Sequence, residues 1–319
     1  MLRKFIALFF LFLCLSCANE DQREEEIAAI PVEVELIRFD EIFAAAAPED
    51  LRGLKKDFSY LFPSQFPDEV WVEKMQDTIQ LEINREVAKE FPNLDQTKEE
   101  LHSLFQHVKY YFPQENIPEV VTLTSEVDYR NKVIWEDDLL LISLDTYLGT
   151  DHHFYIGIQE YIKKTFEKEQ IASDVADAFA QNQINRPTAR TFLAHMIYYG
   201  KILYLNDLLI PFKTDAQKIG YTEAELNWAR QNETQVWRYF VEKELLYDTN
   251  SELQSRFLFP GPFSKFYLEL DADSPAKLGQ YIGWQIVRQY MSKNDISVED
   301  LIEAEAETIF NQSNYKPKK

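Results

Sequence analysis

Three apolar segments near the middle of the chain decide its fold: EVVTLT at 119–124, VIW at 133–135 and LLLISL at 139–144. Short runs rich in β-branched and other apolar residues favour strands, and the polar spacers between them are typical of turns. Because the segments follow one another closely, we expect them to form a small central antiparallel β-meander over about 119–144.

Outward from this sheet, the rest of the chain has the periodicity of helices. Between residues 32 and 112, apolar residues recur at helical spacing, and prolines divide the pattern into short helices. The sequence therefore predicts an α+β fold, mostly helical, as a single domain over 32–319. On the C-terminal side of the meander, helices are expected over about 154–168, 173–181, 187–204, 222–247, 276–292 and 298–311.

The composition excludes several classes of protein. Apolar residues make up 45% of the chain, enough for a substantial core, so the chain is not disordered. None of the 8 glycines lies in a G-x-G-x-x-G or G-x-x-x-x-G-K motif, which excludes nucleotide binding through those loops. The net charge of −21 repels nucleic-acid backbones. We therefore expect no nucleic acid among the partners.

The N-terminus resembles a bacterial lipoprotein signal. Two basic residues precede the apolar run Phe5–Leu15, which is too short to span roughly 30 Å of hydrocarbon. The small residue Ser16 then precedes Cys17, the position that is lipidated in such signals. We predict a signal peptide over 1–16, lipidation at Cys17 and a flexible acidic tether over 17–31. An ordinary cleaved signal peptide is the alternative.

The predicted domain contains no cysteine, because Cys14 and Cys17 both precede it. Disulfides, thiol nucleophiles and cysteine-based zinc sites are therefore excluded. Among the histidines, His102 and His107 are five residues apart, off the spacing that lets two ligands share a helix face, and are expected at the surface. For His152 and its neighbour His153, capping of a loop is favoured over a metal site.

His195 lies in an apolar helical segment, FLAHMIYYGK at 192–201. Zinc peptidases of the H-E-x-x-H type place two histidines one turn apart on such a helix, with the glutamate as the base. Here Met196 occupies the glutamate position and Tyr199 the position of the second histidine. The base and the second ligand are missing, so we predict no catalytic residue, no metal and no cofactor. A histidine packed in the core is the simpler interpretation of His195.

Two later helical segments contain unusual pairs. NETQVWRYFVEKELL at 232–246 places Glu233 and Trp237 one turn apart on one face. LGQYIGWQIVRQY at 278–290 contains Gly279 and Gly283, four residues apart. Paired small residues let a neighbouring helix backbone approach closely, so we expect this pair in a contact between helices.

Four segments and the lipoprotein start carry a family resemblance: VELIRFD at 34–40, LDTYLG at 144–149, WRYF at 237–240 and LGQYIGWQIVR at 278–288. On these residues the chain resembles the gliding motility lipoprotein GldB family. The resemblance implies a lipid-anchored envelope protein of the gliding machinery and of the protein secretion linked to it. Its partners would be other envelope proteins and lipoproteins of that machinery. The inner membrane, the outer membrane and the cell surface remain alternatives for its location.

The chain is also similar, more distantly, to predicted H-E-x-x-H peptidases. On that comparison His195 matches the first ligand and Glu233 a downstream ligand. The resemblance implies a zincin-like scaffold that has lost catalysis and serves as a binding module. A metallopeptidase with unorthodox ligands and a peptide- or glycan-binding envelope protein are the alternatives. Side chains in and beside the quoted segments form the candidate functional surface: Asp145, Tyr147, Asp151, His152, Trp237, Gln280 and Trp284.

Overall fold

Helices surround one small sheet in the computed structural model, which describes residues 22–267, 271 and 273–317. The predicted α+β, mostly helical class is confirmed. The strands are β1 Leu36–Arg38, β2 Glu119–Leu123, β3 Val133–Glu136 and β4 Leu139–Ser143. The helices before and between them are α1 (22–28), α2 Phe39–Ala45, α3 Leu51–Asp57, α4 Asp68–Gln76, α5 Thr78–Glu90 and α6 Asp95–Tyr111. The helices after them are α7 Glu160–Lys163, α8 Ile171–Gln183, α9 Phe192–Leu209, α10 Asp215–Ile219, α11 Glu223–Glu242, α12 Glu252–Phe257, α13 Leu278–Lys293, α14 Val298–Glu303 and α15 Ala306–Ser313.

The described strands form a mixed sheet in the order β1–β2–β4–β3. Strand β2 runs parallel to both neighbours, so that Val120 lies opposite Leu36 and Leu140. Strands β3 and β4 are antiparallel and are joined by a tight turn at residues 137–138. The predicted strand positions are confirmed, but the antiparallel meander is wrong. β3 pairs with the far side of β4, which leaves β4 beside β2.

Strand β4 lies inside the sheet because apolar helices cover both of its faces. Successive residues of a strand point to opposite faces. Val120 and Ile142 pack with α5, α6 and α8 on one face. Val121 and Leu141 contact the cluster formed by α2, α3 and α4 on the other. A strand buried on both faces is a continuous apolar run, which explains the composition of 139–144.

Several predicted helix positions are wrong. Residues 36–38 form β1, although they lie within the stretch 32–112 whose apolar spacing predicts helices. The segment 154–168, predicted to be helical, is mostly loop. Its α-helical part is the short helix Glu160–Lys163. The helix predicted from Pro187 begins at Phe192, where the Thr191 hydroxyl accepts the Ala194 N–H at 3.3 Å. This cap satisfies a free N–H of the first turn and fixes the start of the helix.

Helix α9 is the central helix of the C-terminal half, and it is apolar on nearly all sides. It packs against α8, α13 and α15, and its buried residues belong to both large hydrophobic clusters. A helix that is apolar all round is typical of a protein interior. Neither α9 nor any other helix of the described residues has the length and apolar character needed to cross a membrane.

Residues 22–30 are packed against α6, so the flexible tether predicted for 17–31 is wrong over this part. Ile27 is 1% exposed, and Gln106 Nε2 donates to the carbonyls of Ala28 and Ile30 at 2.9 and 3.0 Å. His107, predicted at the surface, is buried and lies 3.1 Å from the Glu24 carboxylate. The folded part therefore begins at least ten residues before the predicted boundary at 32. The signal peptide and Cys17 lie outside the described residues.

Candidate functional site

The His195 imidazole lies in the first turns of α9 and is partly buried. The Gln254 side-chain amide of α12 lies 3.1 Å from His195 Nε2. An amide nitrogen can only donate, so this ring nitrogen accepts and the ring is neutral. Burial lowers the pKa of His195, which also favours the neutral form.

Glu233 of α11 is 3% exposed, and its carboxylate accepts hydrogen bonds from side chains in the core. The Tyr281 hydroxyl donates to Oε2 at 3.1 Å, and the Tyr315 hydroxyl donates to Oε1 at 2.8 Å. Burial, followed by the charge of Glu233, raises the pKa of both tyrosines above the ordinary value. The two hydrogen bonds therefore connect α11 to α13, through Oε2, and to the segment after α15, through Oε1.

Met196, at the position of the missing glutamate, lies directly beneath α13. It is fully buried, and a Cβ atom on Gly283 would lie 2.6 Å from its carbonyl carbon. A Cβ atom on Gly200 would lie 2.5 Å from the carbonyl carbon of Gly283. Tyr199 is partly buried between the two large clusters. The predicted close contact through Gly283 is confirmed, because the backbone of α13 lies directly against the backbone of Met196.

The structure does not bring His195 and Glu233 into a common set of metal donors. Across residues 22–267 and 273–317, no three histidine, cysteine, aspartate or glutamate side chains are grouped closely enough to hold a metal ion. Both side chains instead have partners within the protein, Gln254 for the histidine and two tyrosines for the glutamate. The resemblance to zinc peptidases stays a prediction.

Three residues of the candidate functional surface lie in the core, so that part of the prediction is wrong. Asp145, Tyr147 and Trp284 are each 0% exposed. Asp145 accepts the N–H groups of Ser125 and Val127 at 3.0 and 2.6 Å, and this holds the β2–β3 loop. The polar atoms of each side chain have hydrogen-bonding partners inside the fold.

The other residues of that surface are divided between exposed and packed positions. Asp151 is exposed, and His152 Nδ1 accepts the Phe154 N–H at 3.3 Å, so the predicted loop-capping role is confirmed. Trp237 is partly buried, with its ring centroid 5.1 Å from that of Tyr315. Gln280 donates to the Leu258 carbonyl. These residues do not form one patch with the buried three.

Trp284 and Arg288 of the segment 278–288 belong to a charged cluster that the sequence analysis did not predict. Arg288 Nη2 donates to Asp207 at 2.6 Å and to Asp215 at 2.8 Å, and its Cζ lies 3.6 Å from the centroid of the Trp284 ring. Trp284 Nε1 also donates to Asp207, at 2.9 Å. The cluster joins α9, α10 and α13. Asp207 carries the one carboxylate of α9, a mostly apolar helix, and that is the signal that could have identified the cluster.

The stability of the protein should fall as acid titrates this cluster. Burial alone would raise the pKa of Asp215, but the bonds and charge of Arg288 and the bond of Arg230 lower it to about 2. A carboxylate with a lowered folded pKa stabilises the fold above its unfolded pKa of about 4, and that contribution disappears as the pH falls towards 2. We expect a loss of about 1–2 kcal/mol across this range, allowing for solvent screening. Urea unfolding between pH 6 and 2 measures it.

The Asp215→Asn variant is the comparison for that experiment. Its stability at pH 6 should already be lower, and its curve should be flatter between pH 4 and 2 than that of the wild-type protein. Parallel curves for the two proteins would contradict the assignment.

Comparison with known families identifies the chain. The family profile described as gliding motility protein GldB matches residues 20–317. No curated protein and no solved structure matches the chain. Because the match covers nearly the whole chain, the chain belongs to the GldB family, as the four quoted segments predicted.

Proposed function

We propose that this member of the gliding motility GldB family is a lipid-anchored, non-catalytic scaffold of the gliding machinery and of the linked secretion system. Its partners would be other envelope proteins and lipoproteins of that machinery. Family membership supports the link to gliding motility. The role as a scaffold and the lipid anchor are inferences from the site and from the sequence.

The non-catalytic role is supported mainly by the partners of His195 and Glu233, the two candidate metal ligands. Both side chains form contacts within the fold. A catalytic zinc needs an open coordination position and free donor atoms. Both oxygens of Glu233 accept tyrosine hydroxyls in the core, and the α13 backbone covers Met196. Chemistry at this place would require these contacts to break.

The lipid anchor is inferred from the signal-like sequence that leads to Cys17, which lies five residues before the start of α1. Helix α1 is fixed to α6 by the bonds of Gln106 and the contact between His107 and Glu24. Five residues span at most about 18 Å when fully extended. A lipid on Cys17 would therefore hold the domain close to the membrane, where contacts with neighbouring envelope proteins can form.

Complementation of a deletion strain tests the proposal. His195→Ala should restore gliding to the wild-type level, because the histidine has no catalytic task. Cys17→Ser should fail to restore gliding at equal protein abundance, because it removes the lipid. Colony spreading and single-cell gliding speed are the measurements, with immunoblots of membrane fractions as the control for abundance.

Metal analysis of the purified protein distinguishes the metallopeptidase alternative from the non-catalytic scaffold. We expect zinc well below one equivalent in the wild-type protein and no change in His195→Ala. Stoichiometric zinc that disappears in His195→Ala would support the metallopeptidase.

Crosslinking mass spectrometry in intact cells tests the scaffold role. It should recover motility or secretion components, and crosslinks only to unrelated proteins would contradict that role.

A further inference from the structure

A cavity of about 330 Å³ lies beside the β2–β3 loop. Its other walls come from α7 and the segment after it, from Gly220, from Pro260 and Gly261 after α12, and from the residues just before α13. It is separate from the His195 region. Its volume is at the lower end of the range of small-molecule sites.

Three lysine ammonium groups line this cavity in a chain of net charge −21. Lys132 forms an ion pair with Asp174, and Lys164 lies 2.7 Å from Glu225. Lys277 donates to the carbonyl of Ile219, and none of the described carboxylates lies within ion-pair distance of it. Two of the three ammonium groups are thus paired with carboxylates, and the third, that of Lys277, is held by a backbone carbonyl.

The position of Lys277 is unfavourable in two ways. Its φ of 60° lies in the left-handed region, which residues other than glycine seldom adopt. Burial, and then the charge of Lys164, lowers its pKa to about 8, although the carboxylate of Asp177 acts in the opposite direction. Asp177 itself accepts a hydrogen bond from Asn206 at 2.5 Å. Lys277 is only partly buried, and a lysine held in strained backbone at the wall of a cavity is typical of a binding site.

Three aromatic residues also line the cavity. Tyr129, Tyr161 and Phe166 contribute to the walls. The ammonium groups of Lys164 and Lys277 lie 5.5 and 5.6 Å from the centroid of the Tyr221 ring. Such surfaces suit an apolar or planar group attached to a charge.

The LDTYLG segment holds one wall of this cavity in place. The carboxylate of Asp145 fixes the β2–β3 loop, which carries Tyr129 and Lys132. The hydroxyl of Tyr147 donates to Asp174 at 2.7 Å, and Asp174 in turn pairs with Lys132. Two buried residues of this segment thus fix the position of one ammonium group.

We propose that this cavity binds a small organic anion, a carboxylate or phosphate on an apolar or aromatic body, with Lys277 contacting the charge. The start of α13 follows Lys277 directly, so the positive end of the helix dipole lies at the same wall. The aromatic walls would contact the body of the ligand.

Calorimetric titration of the purified protein with four probes tests this proposal: phenyl phosphate, phenylacetate, uncharged phenylacetamide and inorganic phosphate alone. We expect at least one of the two aromatic anions to bind at least about tenfold more tightly than phenylacetamide and inorganic phosphate. The better of the two anions identifies the preferred headgroup. Because the probes are added to isolated protein, the outcome does not depend on any role in gliding.

Two variants and one control assign the binding to the cavity. Lys277→Gln should weaken the binding at least about tenfold, whereas Lys89→Gln, at a side chain 79% exposed on α5, should not change it. Gly261→Leu adds bulk at a lining position where a Cβ meets nothing closer than 3.8 Å, and should also weaken the binding. It serves as the test if Lys277→Gln does not fold. Equal affinity for the charged and uncharged aromatic probes, or unchanged binding in both cavity variants, would overturn the proposal.

Discussion

Gly283→Ala is expected to lower the free energy of unfolding by at least about 3 kcal/mol, because the added methyl group would overlap backbone. A Cβ atom at this position would lie 2.6 Å from the carbonyl carbon of Met196. Alanine favours a helix over glycine by about 1 kcal/mol, which offsets only part of the overlap. Relief would require α9 and α13 to separate, and their contact lies in the C-terminal core. Urea unfolding followed by circular dichroism measures the loss.

The matched control is Gly53→Ala in α3. This glycine is exposed, and a Cβ atom there would meet nothing within 4 Å. We expect it to gain about 0.5–1 kcal/mol from helix propensity alone. A Gly283→Ala protein as stable as the wild type would show that α9 and α13 do not approach as described.

Glu233→Ala should lower the free energy of unfolding by roughly 3 kcal/mol, because it leaves two buried tyrosine hydroxyls without their acceptor. The hydroxyls of Tyr281 and Tyr315 both donate to this carboxylate, and a hydrogen bond to a charged group contributes about 1.5–3 kcal/mol. Removal of the buried charge recovers part of this loss. Thermal and urea unfolding are the measurements.

Glu233→Gln separates the bonds from the charge. It keeps one acceptor oxygen, so its loss should be about half that of alanine. Glu242→Ala, at the exposed end of the same helix, should change the stability by no more than about 0.5 kcal/mol. If Glu233→Ala matched this control, the carboxylate would not be a structural group and would be free to serve as a metal ligand.

The sequence predicted the locations of the strands better than their pairing. All three apolar segments are strands, because local composition determines whether a run of residues is extended. The pairing depends on which faces other elements cover, and those elements lie far away in sequence. Strand β1 was not predicted, because its three residues also fit the apolar spacing of a helix.

The broken motif after His195 can be read from the sequence, whereas the burial of polar side chains cannot. Met196 and Tyr199 identified the broken motif directly from the letters. Asp145, Tyr147 and Trp284 were predicted at a surface because they lie in the segments that carry the family resemblance, yet all three are buried. Periodicity cannot show that a polar side chain has found an internal partner.

The sequence by itself determined the fold class, the family and the absence of cysteine from the predicted domain, because composition, spacing and motif letters are local properties. Only the tertiary structure decided the mixed sheet, the packing of residues 22–30 and the use of Glu233 as an acceptor for two tyrosines. It also placed Lys132, Lys164 and Lys277 around one cavity. These features join residues up to 145 positions apart, and the free energy that selects them comes from burial and hydrogen bonding between distant segments.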